Sequence, residues 1–228
     1  MEKVVAAGGA ATTPPAPRRG RPPRLSAEEI VETALALLRA EGMQAVTFRR
    51  LAEELDVTPM SLYGYFGSKD ELLGGMTARV IEAPAESLDA TLPWDTALSI
   101  VMRRLHATLV AHPGIAELVS SRAVPGPSLD PTSEHLAAIL RSAGLDERET
   151  VDTLYVLLQQ VIGAVMVETR RPPAGVAEEA ARHRALAREQ YPTLVEISNE
   201  YARGGSVHSF EFALQLLING LLYMIDSR

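Results

Sequence analysis

The sequence predicts an all-helical protein, with an N-terminal three-helix helix-turn-helix domain and a larger helical domain behind it. Apolar residues recur at helical spacing over long stretches, as at Leu154, Leu158, Val161 and Val165. No segment shows the apolar–polar alternation of a half-buried strand. Residues 47–66 contain two short amphipathic segments joined by a two-residue turn, as in a helix-turn-helix. These observations together indicate an all-α fold.

The composition is that of an ordinary soluble globular protein. The chain has 228 residues, of which 46% are apolar and 22% charged, so each of two domains can bury a core. No stretch approaches the roughly 20 apolar residues of a membrane helix, and residues 1–17 lack the pattern of a signal peptide. The absence of cysteine excludes disulfides, thiolate catalysis and cysteine-bound zinc. We therefore expect a cytoplasmic protein without a membrane partner.

The charge is unevenly distributed along the chain. The net charge is −7, but residues 1–24 carry five basic side chains and one acidic, which gives them +4 and leaves −11 on the other 204 residues. These first 24 residues are rich in Ala, Gly, Pro and Thr, and we expect a disordered basic arm. A basic arm on an acidic body is typical of a protein that contacts DNA with one end.

Capping residues divide residues 25–84, the predicted first domain, into helices. Ser and Thr at an N-cap accept hydrogen bonds from the first turn, and Pro59 fits a first helical position because its missing N–H costs nothing there. The predicted helices begin after Ser26, Thr47, Thr58 and Ser68, and end near Gly42, Leu55, Phe66 and Ala83. Pro84 ends this pattern, so we place the domain boundary near 84–92.

Residues 85–228 form the predicted second domain. Helical periodicity and Pro or Gly breaks predict helices over Pro93–Ala111, Ile115–Arg122, Ser133–Ser142, Glu147–Arg170, Val176–Gln190 and Val207–Ile225. The two longest, near residues 147–170 and 207–225, are apolar on more than one side. A helix of that kind needs two partners, one in its own subunit and one in a second copy. The alternative is a helix pair buried within a monomer.

Residues 47–66 read TFRRLAEELDVTPMSLYGYF and carry the functional argument. Ala52 lets the two helices cross closely, and Asp56 tolerates the left-handed turn conformation. Leu51, Leu55, Val57, Leu62 and Phe66 have the spacing of inward-facing residues. A plain helical hairpin has the same spacing. The outward residues favour base and phosphate contacts instead, and they are Thr58, Pro59, Met60, Ser61, Tyr63 and Tyr65.

The segment from Ser26 to Leu73 resembles the DNA-binding domain of the tetracycline-repressor family. The matching motifs are Thr47-x-Arg49-x-Leu51-Ala52, Leu62-Tyr63-x-Tyr65-Phe66 and Lys69-x-x-Leu72-Leu73. The family more often has His where Tyr65 stands. The second domain resembles the tetracycline-sensing subgroup more loosely, at His112-Pro113-Gly114, Ile162-Gly163-Ala164-Val165 and the Phe210–Leu221 segment.

This resemblance implies a homodimer that binds a palindromic operator in double-stranded DNA. It places Arg49, Pro59, Met60 and Ser61 at base edges and Thr47, Tyr63, Tyr65 and Lys69 on phosphates, and we add Thr58. The chemistry agrees, because arginine pairs with guanine through two hydrogen bonds and Met or Pro packs on a thymine methyl group. Arg21 on the basic arm is expected to enter the minor groove; the alternative is a solubilising tail.

The resemblance also implies a dimer bundle and a small-molecule effector. The bundle would be built from the two long apolar helices, with an interface of Leu154, Val161, Val165, Leu214, Leu217 and Leu221. An apolar pocket with few polar groups is typical of a small-molecule site. We expect it to be lined by Met102, Leu105, His106, Leu109 and Gln159, with Glu168 near the pocket mouth or the interface.

The sequence departs from the tetracycline sensors where those proteins hold magnesium. Their histidine ligand lies a few residues beyond the glycine that matches Gly114, and Leu118 occupies that position here. Leucine cannot ligate a hard cation. The carboxylate that follows their Gly-Ala-Val run has only a shifted counterpart, Glu168. We therefore expect no metal and no cofactor, and a drug-sized, mostly hydrophobic effector.

Three other functions compete with a ligand-released repressor. An all-helical enzyme is disfavoured, because the five histidines form no metal-binding spacing and the sequence has neither a glycine-rich phosphate loop nor a nucleophile elbow. A helical adaptor that binds only protein would lose nothing when Arg49 and Tyr63 are replaced. An activator of the same family would share every feature named so far.

Overall fold

The computed structural model describes residues 25–82, 91–120, 129–170, 175–204 and 207–228, and this part of the chain contains helices and no strand. The predicted all-α class is therefore confirmed. The basic arm with Arg21, and most of the predicted boundary at 84–92, lie outside the described residues.

The first unit consists of α1 (Ala27–Glu41), a short 3-10 helix (Met43–Ala45), α2 (Phe48–Glu54), α3 (Pro59–Tyr63) and α4 (Lys69–Glu82). Three predicted N-caps form: the hydroxyls of Ser26, Thr47 and Ser68 accept from backbone N–H groups three residues later, at 3.1–3.2 Å. Thr58 departs from the prediction, since its hydroxyl pairs with that of Ser61 at 3.0 Å and makes no cap bond. The 3-10 helix was not predicted.

The turn between α2 and α3 has the predicted geometry. Asp56 adopts a left-handed conformation with φ 52°, the one non-glycine residue with positive φ among the described residues. Ala52 is 3% exposed, while Leu51 and Leu62 are fully buried at the helix crossing. Helix α3 ends at Tyr63, three residues before its predicted end. These features make residues 47–63 a helix-turn-helix.

The second unit consists of α5 (Trp94–Ala111), α6 (Pro113–Ser120), α7 (Asp130–Ser142), α8 (Glu147–Arg170), α9 (Gly175–Arg184), α10 (Pro192–Glu196), α11 (Ser198–Arg203) and α12 (Val207–Asp226). Helices α6 and α7 begin earlier than predicted, because Pro113 and Pro131 start helices rather than ending loops. The helix predicted over 176–190 ends at Arg184, and two further short helices follow it.

Helix α8 is the centre of the second unit. It packs against α5, α6, α7 and α12, whereas α9, α10 and α11 pack chiefly on one another. Helix α4 joins the two units, since it contacts α1 on one side and α5, α6 and α7 on the other. A buried hydrogen bond from the Thr132 hydroxyl to the Ile81 carbonyl, 3.0 Å long, fixes α7 to α4. The apolar cores of the two units are consequently continuous.

The start of α6 lies directly on α1 at Gly114. A Cβ atom added to Gly114 would lie 2.6 Å from Leu38 Cδ1 and 3.1 Å from Leu38 Cγ, closer than real Cβ contacts. Leu38 is 8% exposed and packed in the core, so its side chain has little space into which to move. Glycine at 114 thus allows this close approach between the two units.

We predict that Gly114→Ala lowers the free energy of unfolding by about 1–3 kcal/mol, because the added methyl group overpacks the contact with Leu38. The measurement is urea denaturation followed by circular dichroism. Gly74→Ala in α4 is the matched control: its Cβ would meet nothing within 4 Å, so helix propensity alone should raise stability by about 0.5–1 kcal/mol. Equal stability of the Gly114→Ala variant and the unaltered chain would contradict the close contact.

Candidate DNA interface and effector site

The outward face of α3 is open to solvent. Thr58, Pro59, Met60 and Ser61 are all exposed. Met60 is 76% exposed, which is high for an apolar side chain and leaves its whole thioether end available for contact. The inward residue of the same helix, Leu62, is fully buried. The helix therefore presents a compact surface of short polar groups around one methionine.

The two predicted tyrosines are held in different ways. The Tyr63 ring packs against the Phe48 ring at a centroid distance of 4.4 Å and an angle of 32°, and it remains 49% exposed. The Tyr65 hydroxyl donates to the Leu25 carbonyl, at the start of the described chain. Because a tyrosine hydroxyl has one proton, Tyr65 in this conformation has none to give a phosphate. It instead fixes the point from which the chain enters α1.

The two arginines of α2 have different surroundings. Arg49 is 87% exposed in its side chain and contacts Glu53 at 3.2 Å, an exposed ion pair that contributes little. Arg50 contacts both Glu41 and Glu54 at 2.8 Å. The hydrogen bonds that Arg50 donates, to Glu41 first and Glu54 second, raise the pKa of Arg50 above its ordinary value. Arg50 thus braces α2 against α1, and Arg49 is the arginine free to exchange partners.

Thr47 and Lys69 lie at helix starts beside this surface. The Thr47 oxygen accepts the Arg50 N–H, and its own proton is left for a further acceptor. Lys69 is exposed at the first position of α4. Glu71 in the same turn accepts from the Gly67 N–H at 2.6 Å, and its N–H donates to Ser68. That reciprocal cap holds the start of α4 in place.

The predicted effector residues do not all come together. Met102, Leu105, His106 and Leu109 are buried on α5, with at most 4% exposure, whereas Gln159 is exposed on α8. The polar group that faces α5 from α8 is Glu168: its Oε2 atom lies 3.1 Å from His106 Nε2. The His106 ring also stacks on Phe210 of α12, with centroids 4.0 Å apart and planes at 13°.

Sequence reasoning did not identify Phe210 as part of this site, because no local pattern shows that two residues 104 positions apart will stack. The nearby Arg103–Glu211 ion pair, 2.8 Å long, also joins α5 to α12. Arg103 lowers the pKa of Glu211 through its hydrogen bonds, with a smaller contribution from His106. The site is therefore a junction of α5, α8 and α12.

Most of the predicted dimer interface faces inward. Val161, Val165, Leu214 and Leu221 are at most 6% exposed and belong to the core of a single chain. Leu221 and Leu217 also border an open cleft between α8 and α12. Leu154 and Leu217 are half-buried. The apolar stripes chosen from the sequence pack largely within the subunit, and their role in a dimer interface stays a prediction.

The opposite sides of α8 and α12 form an uncovered apolar face. Its exposed members are Val151, Tyr155, Val156 and Val167 on α8 and Phe212, Leu216, Tyr223 and Met224 on α12. Between the two helices lies an open cleft of about 520 Å³, bordered by Val156, Leu216 and Met224. Exposed apolar side chains on two neighbouring helices are typical of an interaction surface.

Helix α8 is long and apolar enough to cross a membrane by length and composition alone. Core helices of soluble proteins pass the same test, and α8 packs on four other helices. Only 28% of its most apolar 18 residues are buried by the described part of the chain. Within the described residues, no group of three or more His, Cys, Asp or Glu side chains is placed to hold a metal ion.

Comparison with protein families gives two matches that together span most of the chain. Residues 30–76 match the model of bacterial regulatory proteins of the tetR family. Residues 88–225 match that of the tetracycline-repressor-like C-terminal domain. The division between the two matches, 77–87, overlaps the predicted boundary region.

Individual proteins are similar over nearly the whole length. The HTH-type transcriptional repressor DrrR1 of Streptomyces coeruleorubidus is 30% identical over 226 residues, which cover 93% of this chain and 83% of DrrR1. The crystal structure of Streptomyces coelicolor ActR in complex with actinorhodin superimposes with a TM-score of 0.79 at 28% identity, over 89% of this chain and 99% of ActR. BioQ with its double-stranded DNA operator gives 0.60 at 28% identity, over 87% and 98%.

Proposed function

This chain belongs to the tetR family of bacterial regulatory proteins, and we propose that it is a repressor that binds a palindromic operator as a homodimer and leaves it when a small molecule binds the second unit. The main support for DNA binding is that the helix-turn-helix presents an exposed face of α3. Similar proteins support each part: DrrR1 is a repressor, BioQ binds an operator and ActR binds actinorhodin. We assign the chain no enzymatic activity and place it in the cytoplasm, with its DNA.

We assign base contacts to Arg49 and to Pro59, Met60 and Ser61 of α3. Arg49 is the arginine without a strong internal partner, and a guanidinium that leaves an exposed ion pair for guanine gains two directed hydrogen bonds. We assign phosphate contacts to hydrogen-bond donors and a cation at the edges of α3. These groups are Thr47, Thr58, Tyr63 and Lys69.

We assign the dimer interface to the uncovered apolar face of α8 and α12. A palindromic site needs two α3 helices about 34–36 Å apart, one duplex turn, and a two-fold interface supplies that geometry. The exposed side chains and the cleft between the helices give a surface with both protruding and recessed parts, as a self-complementary contact requires. A dimer interface on this face would account for the exposed apolar side chains of α8, so no membrane contact is needed to explain them.

Release follows if the ligand binds the DNA-free arrangement of the dimer more tightly than the DNA-bound one. Helix α4 is the element that both units share, since it packs on α1 and on α5, α6 and α7. A ligand that shifts α5 or α8 therefore acts on α4, and through it on the spacing of the two α3 helices.

We expect Arg49→Ala to weaken binding to DNA from the protein's own promoter region by about 1–3 kcal/mol and to relax sequence preference, because a base contact is lost. Fluorescence anisotropy with promoter DNA and shuffled DNA measures both effects. Arg203→Ala is the control, since Arg203 is also exposed and paired with a glutamate, Glu200, but lies far along the chain in α11. Unchanged affinity and preference in Arg49→Ala would refute the assignment.

Deletion of residues 1–24 should weaken DNA binding and flatten its dependence on salt, because up to five cations per chain stop displacing counterions. The slope of log K against log salt should fall by up to roughly 0.9 for each lost phosphate contact. Deletion of residues 1–17 is the control, since it removes Lys3 and keeps all four arginines of the arm. If the slope of log K against log salt is the same for both deletions, the four arginines do not contact DNA and the arm serves only solubility.

Leu216→Arg should convert the dimer to monomers and abolish specific DNA binding, because it places an unpaired charge in the apolar interface. Leu216 is 56% exposed in the single chain, so the fold of the protomer should survive. Sedimentation velocity and circular dichroism test the two statements. Ala138→Arg, at an exposed position of α7, should leave a dimer. A stable dimer of Leu216→Arg that binds promoter DNA would move the interface elsewhere.

A further inference from the structure

A second open cleft lies in the first unit, between α1 and α2, and we call it the α1–α2 cleft. Its volume is about 550 Å³, and two of the side chains that line it on α1, Ala36 and Ala40, are small. Three carboxylates border the same space, those of Glu32, Glu41 and Glu54. Because opposite charges attract even near a protein surface, such a border favours a cationic occupant.

The cleft keeps an excess of negative charge after its internal pairing. Arg50 also borders it, and contacts one oxygen of Glu41 and one of Glu54, each at 2.8 Å. Two carboxylates facing one guanidinium leave a charge of −1, and these two glutamate side chains are 43% and 51% exposed. Glu32 forms an exposed pair with Arg79. Since a carboxylate accepts several hydrogen bonds, each of the three can accept from a further arginine.

The segment of this chain with the opposite charge is the basic arm. Residues 25–82 contain ten Asp or Glu and five Lys or Arg, a net charge of −5, whereas residues 1–24 carry +4. The arm joins this acidic unit directly at Leu25, where the described chain begins. A tethered segment is present at roughly millimolar effective concentration, so even a weak attraction can hold it.

The arm is long enough to reach the cleft. With a rise of 1.5 Å per residue, Glu32 and Ala40 lie about 9 and 21 Å along α1 from Ser26. Arg21 and Arg18 precede Ser26 by five and eight residues, and extended chain of those lengths spans up to about 17 and 27 Å. The arginines of the arm can therefore reach both ends of the cleft.

The side of α1 that leads to the cleft is also acidic. Glu29 is exposed and lies four residues before Thr33, which lines the cleft. Residues four apart share one side of a helix. A carboxylate thus lies on the same side as the cleft, between the entry of the arm and the cleft itself.

We propose that the arginines of the basic arm occupy the α1–α2 cleft of their own chain when DNA is absent, and that DNA displaces them. The docking goes beyond the proposed function and is measurable without DNA, whereas its effect on DNA binding rests on that function. The cleft carboxylates and the DNA phosphates compete for the same four arginines. The arm must leave the cleft before it contacts DNA, so the cleft lowers the affinity for DNA of any sequence.

Disulfide trapping in the full chain tests the docking. The sequence has no cysteine, so an introduced pair is unique. We expect Gly20→Cys/Ala36→Cys to form an intrachain disulfide in a glutathione buffer more readily than Gly20→Cys/Gly64→Cys. Gly64 is the control because it is exposed and adjoins Tyr65, whose hydroxyl holds Leu25 at the entry of the arm. Mass spectrometry gives the yields. An equal or higher yield at Gly64, or links only between two chains, would overturn the docking.

The trapped yield should depend on charge. Glu32→Gln/Glu54→Gln in the Gly20→Cys/Ala36→Cys chain should lower it by roughly two- to tenfold, the effect of losing two exposed ion pairs. Glu134→Gln, at an exposed position of α7, should leave it unchanged. Should the double glutamine variant fail to fold, 1 M salt tests the same point, because the screening length falls to about 3 Å. A yield that neither change lowers would contradict an electrostatic contact.

The competition with DNA is tested by combining the cleft and arm variants. Glu32→Gln/Glu54→Gln reduces repulsion of DNA in any background, so we compare its effect with and without residues 1–24. Its gain in affinity for shuffled DNA should be about two- to fivefold larger in the full chain, where the arm is also released. Equal gains would refute the competition. Trapping at Ala36 without any promoter binding would support the docking and contradict the proposed repressor.

Discussion

The apolar surface of α8 is larger than the described part of the chain covers, and the proposed assembly depends on this constraint. One side of the helix packs on α5, α6, α7 and α12 and forms the core of the second unit. The other side leaves Val151, Tyr155, Val156 and Val167 in solvent. In the proposed dimer, a second copy covers this surface and also supplies the second α3 helix that a palindromic site needs. Stability of that assembly and recognition of DNA would then have a common origin.

Within the described residues, the first and second units share one apolar core and are not joined by a hinge. Helix α4 contacts helices of both units, Thr132 bonds to Ile81, and Gly114 lets α6 lie on α1. Close-packed cores transmit displacement because they have few voids to absorb it. A small change at the His106–Glu168 junction therefore has a short packed route to α1, through α5 and α4.

Local signals in the sequence predicted the first unit well. The caps at Ser26, Thr47 and Ser68 and the left-handed Asp56 depend on neighbours a few residues away, and all four formed. The second unit was harder, because its site joins residues from three distant helices. Periodicity identified the apolar sides of α8 and α12 but could not tell the side that packs inward from the side that stays exposed in the single chain. The stacking of Phe210 on His106 and the exposure of Gln159 depend on how distant helices pack, which the sequence pattern does not show.

The hydrogen bond from Tyr65 to Leu25 has a consequence for kinetics. It anchors the chain one residue after Arg24 and seven after Arg18, beside α3, the helix proposed to contact bases. Seven extended residues span at most about 25 Å. All four arginines of the arm thus remain within one short tether of the duplex once α3 has docked. In the proposed complex, phosphate contacts by the arm would be intramolecular events at roughly millimolar effective concentration, so the arm should slow dissociation from the operator more than it speeds the first encounter.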